Sequence, residues 1–125
     1  LPEAAELLAE LRTAGVAYGI ATSGRRPEID GSLEALRIGP ETVVVERGSV
    51  QRAKPEPDLF LACAAELGVS PEECYVVGDA VWDMLAARRA RMLSIGLLSG
   101  GYGEDELTSA GAFRVYRDTR ALRRF

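Results

Sequence analysis

A single lysine stands among the 15 basic residues of this 125-residue chain, and all the others are arginines. Lys54 lies in the segment Lys54-Pro55-Glu56-Pro57. Lysine offers a compact ammonium charge, whereas arginine presents a wide planar fork. The one lysine in an arginine-rich chain therefore indicates a position that needs a point charge beside a carboxylate or phosphate oxygen, unless its presence there is chance.

Two aspartates follow an apolar segment farther along the chain, in Gly78-Asp79-Ala80-Val81-Trp82-Asp83. Asp79 is expected at the end of a strand, and Asp83 one turn into the next helix. Two carboxylates beside a small cavity suit Mg²⁺, which takes oxygen ligands and keeps waters or phosphate oxygens. Asp79 and Asp83 are thus candidate metal ligands. The alternative is that Asp79 only caps the helix and Asp83 only favours its positive end.

A third polar segment, Thr22-Ser23-Gly24, follows another apolar run. It supplies a hydroxyl group and free backbone N–H groups, which suit an anionic oxygen. Alone it could equally be a simple turn. Together with Lys54 and the two aspartates it predicts a site for phosphoryl transfer, in which the protein supplies positioning and charge neutralisation. The set lacks a nucleophile.

Composition narrows the chemistry further. The chain contains no histidine, which removes histidine acid–base mechanisms and most zinc sites. A net charge of −4 argues against a nucleic-acid partner. No apolar run approaches the roughly 20 residues of a membrane span, and no signal peptide is evident. Cys63 and Cys74 are expected to be reduced core residues of a cytoplasmic protein.

The elements that must position these residues alternate between helix and strand. Helices are predicted over residues 2–14, 27–36, 55–67, 81–89 and 104–110 and at the C-terminus, and strands over 16–21, 42–45, 74–77, 92–97 and 113–116. This alternation predicts one domain over 1–125, with a Rossmann-like three-layer α/β fold and a parallel sheet. Because ligands bind beyond the carboxyl ends of such strands, Thr22, Lys54 and Asp79 should meet at one edge.

The three segments, in this order and spacing, resemble the haloacid dehalogenase-like hydrolase superfamily, in particular its phosphoglycolate phosphatase-like members. The resemblance implies that Thr22, with Ser23 and Gly24, binds the phosphoryl group and that Lys54 joins the charges of nucleophile and phosphate. It also implies that Asp79 and Asp83 hold Mg²⁺. The implied activity is hydrolysis of a small phosphorylated metabolite through an aspartyl-phosphate.

Two departures from that family stand out. Its first motif, D-x-D-x-T/V, carries the nucleophilic aspartate and is absent from this sequence. We expect the nucleophile strand and the cap domain upstream of Leu1, and this segment alone to be inactive. The missing strand would lie between strands 16–21 and 74–77, so these two should not pair directly. The second departure is Arg91, at a position where the family commonly has glycine, which predicts an arginine with positive φ.

Two other readings of the site residues remain. A phosphoacceptor receiver domain has similar length and uses acids, a hydroxyl group and a Lys-Pro, but in the order acids, hydroxyl, lysine. A ligand-binding pseudo-enzyme would keep the fold without turnover. A D-x-D-x-T/V segment upstream of Leu1 would favour the phosphatase over both.

Overall fold

The computed structural model describes residues 3–25 and 28–123. It alternates helices and strands along the chain, as the sequence predicts. The elements are α1 (Ala4–Thr13), β1 (Gly19–Ala21), α2 (Asp30–Ala35), β2 (Val43–Val45), α3 (Asp58–Leu67), β3 (Tyr75–Gly78), α4 (Val81–Arg89), β4 (Leu93–Leu97), α5 (Glu104–Ser109), β5 (Arg114–Tyr116) and α6 (Thr119–Arg123). None of the helices in this described part is both long and apolar enough to cross a bilayer.

The strands form two parallel sheets. β1 pairs with β2, with Ile20 opposite Val44. β4 lies between β3 and β5 in the second sheet, with Val77 opposite Ile95. No ladder joins β1 to β3 among the described residues, which confirms that these two strands do not pair directly. The α/β class with parallel strands is also confirmed.

Several predicted elements are shorter in the structure than in the sequence pattern; the helix predicted over 27–36, for example, is Asp30–Ala35. For two of them the structure shows a cause. β1 contains only Gly19–Ala21, because the chain before it first completes the turn that ends α1. α3 begins at Asp58 rather than at residue 55, since Pro55 and Pro57 precede it and lack the N–H groups of a helix. Of the residues assigned to the N-terminal region and to helix 27–36, Leu1, Pro2 and Pro27 lie outside the described residues.

Four helices end with the same pair of backbone hydrogen bonds. At the end of α4, the Arg91 N–H donates to the Arg88 carbonyl and the Met92 N–H donates to the Ala87 carbonyl. This pattern needs a left-handed residue, and glycine takes it with least strain. The left-handed residues of the four helices are Gly15 (α1), Gly68 (α3), Arg91 (α4) and Gly111 (α5).

The predicted positive φ of Arg91 is confirmed, at 64°. Glycine occupies the equivalent position in the other three of these helices, so Arg91 is the exception among the four. Arg37, which follows α2, is another arginine with positive φ. A side chain in this conformation costs roughly 1 kcal/mol relative to glycine.

The core of the described residues contains three clusters, and α3 contributes to two of them. Leu59 and Cys63 pack with Val45 under the first sheet. Phe60, on the same helix, packs with Val76 and the alanines of α4 under the second sheet. A third cluster joins α4 to α5 through Met84, Leu107 and Ala110. Since α3 contributes to the clusters of both sheets, it sets their relative position without any strand pairing.

Candidate functional site

A cleft of about 540 Å³ opens beyond the carboxyl ends of β1 and β3. The segments that line it come from the loops after β1 and β3, the segment before α3 and the first turn of α4. The lining residues are Ala21, Thr22, Ser23, Gly24, Lys54, Pro55, Ala80, Trp82 and Asp83. Five of the six predicted site residues therefore line one cleft, as expected for ligands at the edge of a parallel sheet.

Lys54 and Asp83 form an ion pair inside this cleft. The Lys54 Nζ lies 2.5 Å from Asp83 Oδ1, and the two side chains are only 15% and 12% exposed. The Lys54 ammonium also lies 5.2 Å from the centre of the Phe60 ring, close enough for a cation–π contact. The ammonium is thus held in place by α3 on one side and by α4 on the other.

Asp83 is fixed by its own helix as well as by Lys54. Its Oδ2 accepts a hydrogen bond from the Ala80 N–H at 3.3 Å, which satisfies one of the free donors at the start of α4. Gly78 makes room for this arrangement, because a methyl group there would lie 2.5 Å from Asp83 Oδ2. The glycine of the Gly78-Asp79 pair therefore serves the second aspartate of the segment.

Two hydrogen bonds of Thr22 fix the start of the loop after β1. The Thr22 N–H donates to the Val45 carbonyl at 3.0 Å and so extends the β1–β2 ladder by one residue. Thr22 Oγ1 accepts a hydrogen bond from the Gly24 N–H at 3.1 Å. Since the oxygen accepts from Gly24, the hydroxyl hydrogen of Thr22 remains able to donate to an anionic oxygen in the cleft.

Asp79 lies beside the loop after β4. A methyl group on Gly100 would lie 2.3 Å from the Asp79 carbonyl oxygen and 2.8 Å from its Cγ, so glycine at position 100 allows this close approach. Among the described residues, no hydrogen bond or ion pair reaches the Asp79 carboxylate. Its carboxylate therefore differs from that of Asp83, which is already neutralised by Lys54.

These two aspartates fit a hard cation in chemistry but are few in number. Both offer carboxylate oxygens, the ligands that Mg²⁺ prefers. Within residues 3–25 and 28–123, no group of three or more acidic, cysteine or histidine side chains is placed to hold a metal. Asp79, with its unpaired carboxylate, is the better candidate. The remaining ligands of such an ion would have to be waters, substrate oxygens or groups from other segments.

Trp82 and Phe60 belong to the site but were not predicted from the sequence. Trp82 is 51% exposed and lines the cleft next to Asp83. Phe60 is buried beneath the Lys54 ammonium. A signal for Trp82 was present, since an indole between Asp79 and Asp83 at the start of a helix is out of place on a solvated surface. Phe60 had none, because it follows the apolar pattern of α3.

Comparisons with known proteins bear on the family of this chain. A family model described as haloacid dehalogenase-like hydrolase matches residues 1–91. The phosphoglycolate phosphatases of Salmonella typhi and of Escherichia coli strain K12 are each 37% identical to this chain over 105 residues. These residues make up 82% of this chain but only 42% of the relatives, so the chain spans less than half of their length.

Solved structures give the same picture. A hydrolase from Pseudomonas syringae superposes with a TM-score of 0.94 at 47% identity, over 99% of this chain and 58% of that one. A haloacid dehalogenase family hydrolase from Deinococcus radiodurans R1, with bound phosphate and sodium, superposes with a TM-score of 0.86 at 32% identity. That match covers 98% of this chain and 57% of the other.

Proposed function

Because the chain belongs to the haloacid dehalogenase-like hydrolase family, we propose that it forms part of a Mg²⁺-dependent phosphatase acting on a small phosphorylated metabolite. The observation that carries this proposal is the buried Lys54–Asp83 ion pair in the cleft that Thr22 also lines. It brings the segment of the only lysine together with the segment of the two aspartates. The phosphoglycolate phosphatases among the relatives, and the bound phosphate in one structural neighbour, support the same substrate class.

Each residue of the cleft has a proposed role. Thr22, Ser23 and Gly24 bind the phosphate oxygens through the Thr22 hydroxyl and the backbone N–H groups. The Lys54 ammonium neutralises the charge that builds up between phosphate and nucleophile, in a site where little water weakens it. Asp83 holds that ammonium in position, and Asp79, with Asp83, would hold Mg²⁺. When bound, the ion would supply positive charge to the phosphate oxygens.

The nucleophile is proposed to come from outside residues 1–125. A carboxylate oxygen would attack phosphorus, the ester P–O bond would break, and the alcohol would leave with a proton. Water would then hydrolyse the resulting aspartyl-phosphate and release inorganic phosphate. On this proposal the 125-residue segment alone is inactive. We also propose a cytoplasmic location, consistent with Cys63 and Cys74 both being free thiols, and no nucleic-acid or membrane partner.

The test is turnover of the full-length protein on a panel of phosphorylated metabolites with and without Mg²⁺. Lys54→Arg should lower kcat by at least about a hundredfold, because a wide guanidinium cannot replace a point charge between carboxylate and phosphate. Arg52→Lys is a matched control, since the Arg52 side chain is 62% exposed and lies two residues before Lys54. It should retain near-normal turnover. Full activity of Lys54→Arg would contradict the proposed role.

A second measurement reports on binding without turnover. Trp82 is the one tryptophan of the 125-residue sequence and lines the cleft, so its fluorescence should change when phosphate or a substrate enters. Asp79→Asn should weaken the Mg²⁺ dependence of that change. A full-length protein that hydrolyses none of the panel but still shows the fluorescence change would favour a ligand-binding protein over a phosphatase.

A further inference from the structure

A second cleft, of about 510 Å³, lies where α4 and α5 end and β4 begins. It therefore lies at the opposite edge of the sheet from Lys54. Two arginines, Arg88 and Arg91, line it together with two hydroxyl side chains, Thr108 and Ser109. The cleft thus combines positive charge with neutral donors, and it contains no residue of the cleft described above.

The two arginines are placed there by the ends of the helices. Arg88 lies in the last turn of α4, and its Cδ would be 3.3 Å from a methyl group on Gly111, the left-handed residue that ends α5. Glycine at 111 thus lets the Arg88 side chain cross the end of α5. Arg91 takes the same left-handed position at the end of α4, where a glycine would be less strained. Strained backbone tends to persist at functional sites.

Neither Arg88 nor Arg91 has a side-chain hydrogen bond or ion pair among the described residues, whereas six other arginines do. No hydrogen bond or ion pair to a carboxylate reaches either guanidinium within the described residues. The pKa of Glu72 is lowered first by a hydrogen bond from Ser70, and the charge of Arg91 is the smallest of the causes. The arginines that do have partners are Arg37, Arg47, Arg52, Arg89, Arg120 and Arg123.

Hydrogen bonding to the last carbonyls of α4 and α5 does not explain why Arg88 and Arg91 stand at these positions. Cations near a helix C-terminus can hydrogen-bond its last carbonyls. Here the Ala87 and Arg88 carbonyls of α4 already accept from backbone N–H groups, and the Leu107 and Thr108 carbonyls of α5 do the same. In the part of the chain that the structure describes, no side-chain hydrogen bond uses the two guanidinium groups or the hydroxyl groups of Thr108 and Ser109, so these donors are available to a ligand.

We propose that this cleft binds the phosphate group of a small anion, held by the guanidinium groups of Arg88 and Arg91 and by the hydroxyls of Thr108 and Ser109. Guanidinium forks match phosphate oxygens in pairs, and phosphate has enough acceptors for all four side chains. This second site is independent of the proposed phosphatase activity, because none of its residues lies in the Lys54 cleft.

The test is titration of the protein with inorganic phosphate, followed by NMR at the amides of Met92 and Gly111. These amides should shift in the wild type and equally in Lys54→Met, which removes the ammonium group of the first cleft and no residue of the second. Arg91→Gly and Arg88→Gln should each lower the phosphate affinity measured at these amides by about tenfold, as expected for a lost charge-assisted hydrogen bond. Arg114→Gln is the control, since the Arg114 guanidinium lies over the Phe113 ring and does not line this cleft, so the affinity should stay unchanged.

Arg91→Gly keeps the test decisive, because it relieves strain and should not unfold the protein. Equal phosphate affinity in Arg91→Gly, Arg88→Gln and the wild type would overturn the proposal, as would an absence of shifts at Met92 and Gly111. Malonate titrated in parallel distinguishes the ligand chemistry: tighter binding of this dicarboxylate than of phosphate would overturn the assignment to phosphate.

Discussion

The two sheets of this protein differ in how firmly they are packed. Around β1 and β2, neither α1 nor α2 contributes a buried residue, and Val45 is the one buried core residue before α3 among those described. Around β3, β4 and β5, helix α4 alone contributes four buried residues. The loosely packed part provides Thr22, whereas the densely packed part provides Asp79 and Asp83. One side of the cleft therefore belongs to a densely packed part of the molecule, and the other side to a loosely packed part.

The connection between these parts is made by side chains. α3 packs against both sheets, and the Lys54–Asp83 ion pair crosses from the segment before α3 to α4. α1 is tied separately to the C-terminal helix, where Arg123 pairs with Glu10 at 2.5 Å. The position of Thr22 relative to Asp83 consequently depends on α3. The predictions that follow test this dependence.

The largest expected effect comes from removing the packing of α3 under the first sheet. Leu59 is fully buried, so Leu59→Ala should lower the free energy of unfolding by about 2–5 kcal/mol. Leu61, on the same helix, is 39% exposed, and Leu61→Ala should change it by less than about 1 kcal/mol. Chemical denaturation of the two variants measures the difference.

Hydrogen exchange on the same variants shows where the loss falls. If α3 stabilises the loosely packed β1–β2 sheet, Leu59→Ala should speed hydrogen exchange at the amides of β1 and β2 more than at those of β3 and β4. Uniform acceleration in both sheets would mean that the two parts unfold as one unit and that the contrast in packing has no energetic counterpart.

An intermediate effect is expected for the ion pair that crosses between the two parts. A double-mutant cycle of Lys54→Met and Asp83→Asn should give a coupling energy of about 1–3 kcal/mol, since both side chains are largely buried. The exposed Arg37–Glu6 pair, with side chains 70% and 43% exposed, is the matched control and should give less than about 1 kcal/mol. Equal coupling energies in the two cycles would show that the Lys54–Asp83 ion pair connects the two parts no more strongly than an exposed pair does.

The smallest expected effect is a gain in stability in the densely packed part around β3, β4 and β5. Arg91→Gly should raise the free energy of unfolding by about 1 kcal/mol, because it relieves a left-handed side chain. Arg37 also has positive φ, at 54°, but its guanidinium pairs with Glu6 at 2.7 Å. Arg37→Gly should therefore gain less, as the lost ion pair offsets the relief. A destabilised Arg91→Gly would show that the Arg91 side chain supports the fold itself.

Much of the fold could be predicted because the local signals agree with one another. The bounds of α4, Val81–Arg89, match the predicted helix, and Gly68 ends α3 as predicted. β1 is shorter than its apolar run; Val16, which the pattern assigned to the strand, instead donates to the Leu11 carbonyl at the end of α1. A run of apolar residues indicates which residues are buried. The number of residues that pair in a strand depends also on the path of the chain before the strand.

The candidate site could be predicted in its location but not in its internal pairing. Thr22, Lys54 and Asp83 meet in one cleft because parallel strands end at one edge. Which carboxylate the ammonium contacts depends on side-chain geometry, and the structure pairs it with Asp83. That Lys54 lies close to Asp79 remains a prediction. The Arg88–Arg91 cleft had no signal, because its two helix ends become neighbours only in the folded chain.

The order of the strands has a consequence for how fast the molecule can fold. Each strand pairs with the next one along the chain within its sheet, β1 with β2 and β3 with β4 and then β5. Each pairing is parallel and closes across an intervening helix, as with Gly19 opposite Val43, so it forms more slowly than a hairpin. None of the described pairings crosses from one sheet to the other. Each sheet can therefore assemble from its own stretch of chain. The step that remains is the docking of α3 between them, and we expect that step to limit the rate at which the Lys54 cleft forms.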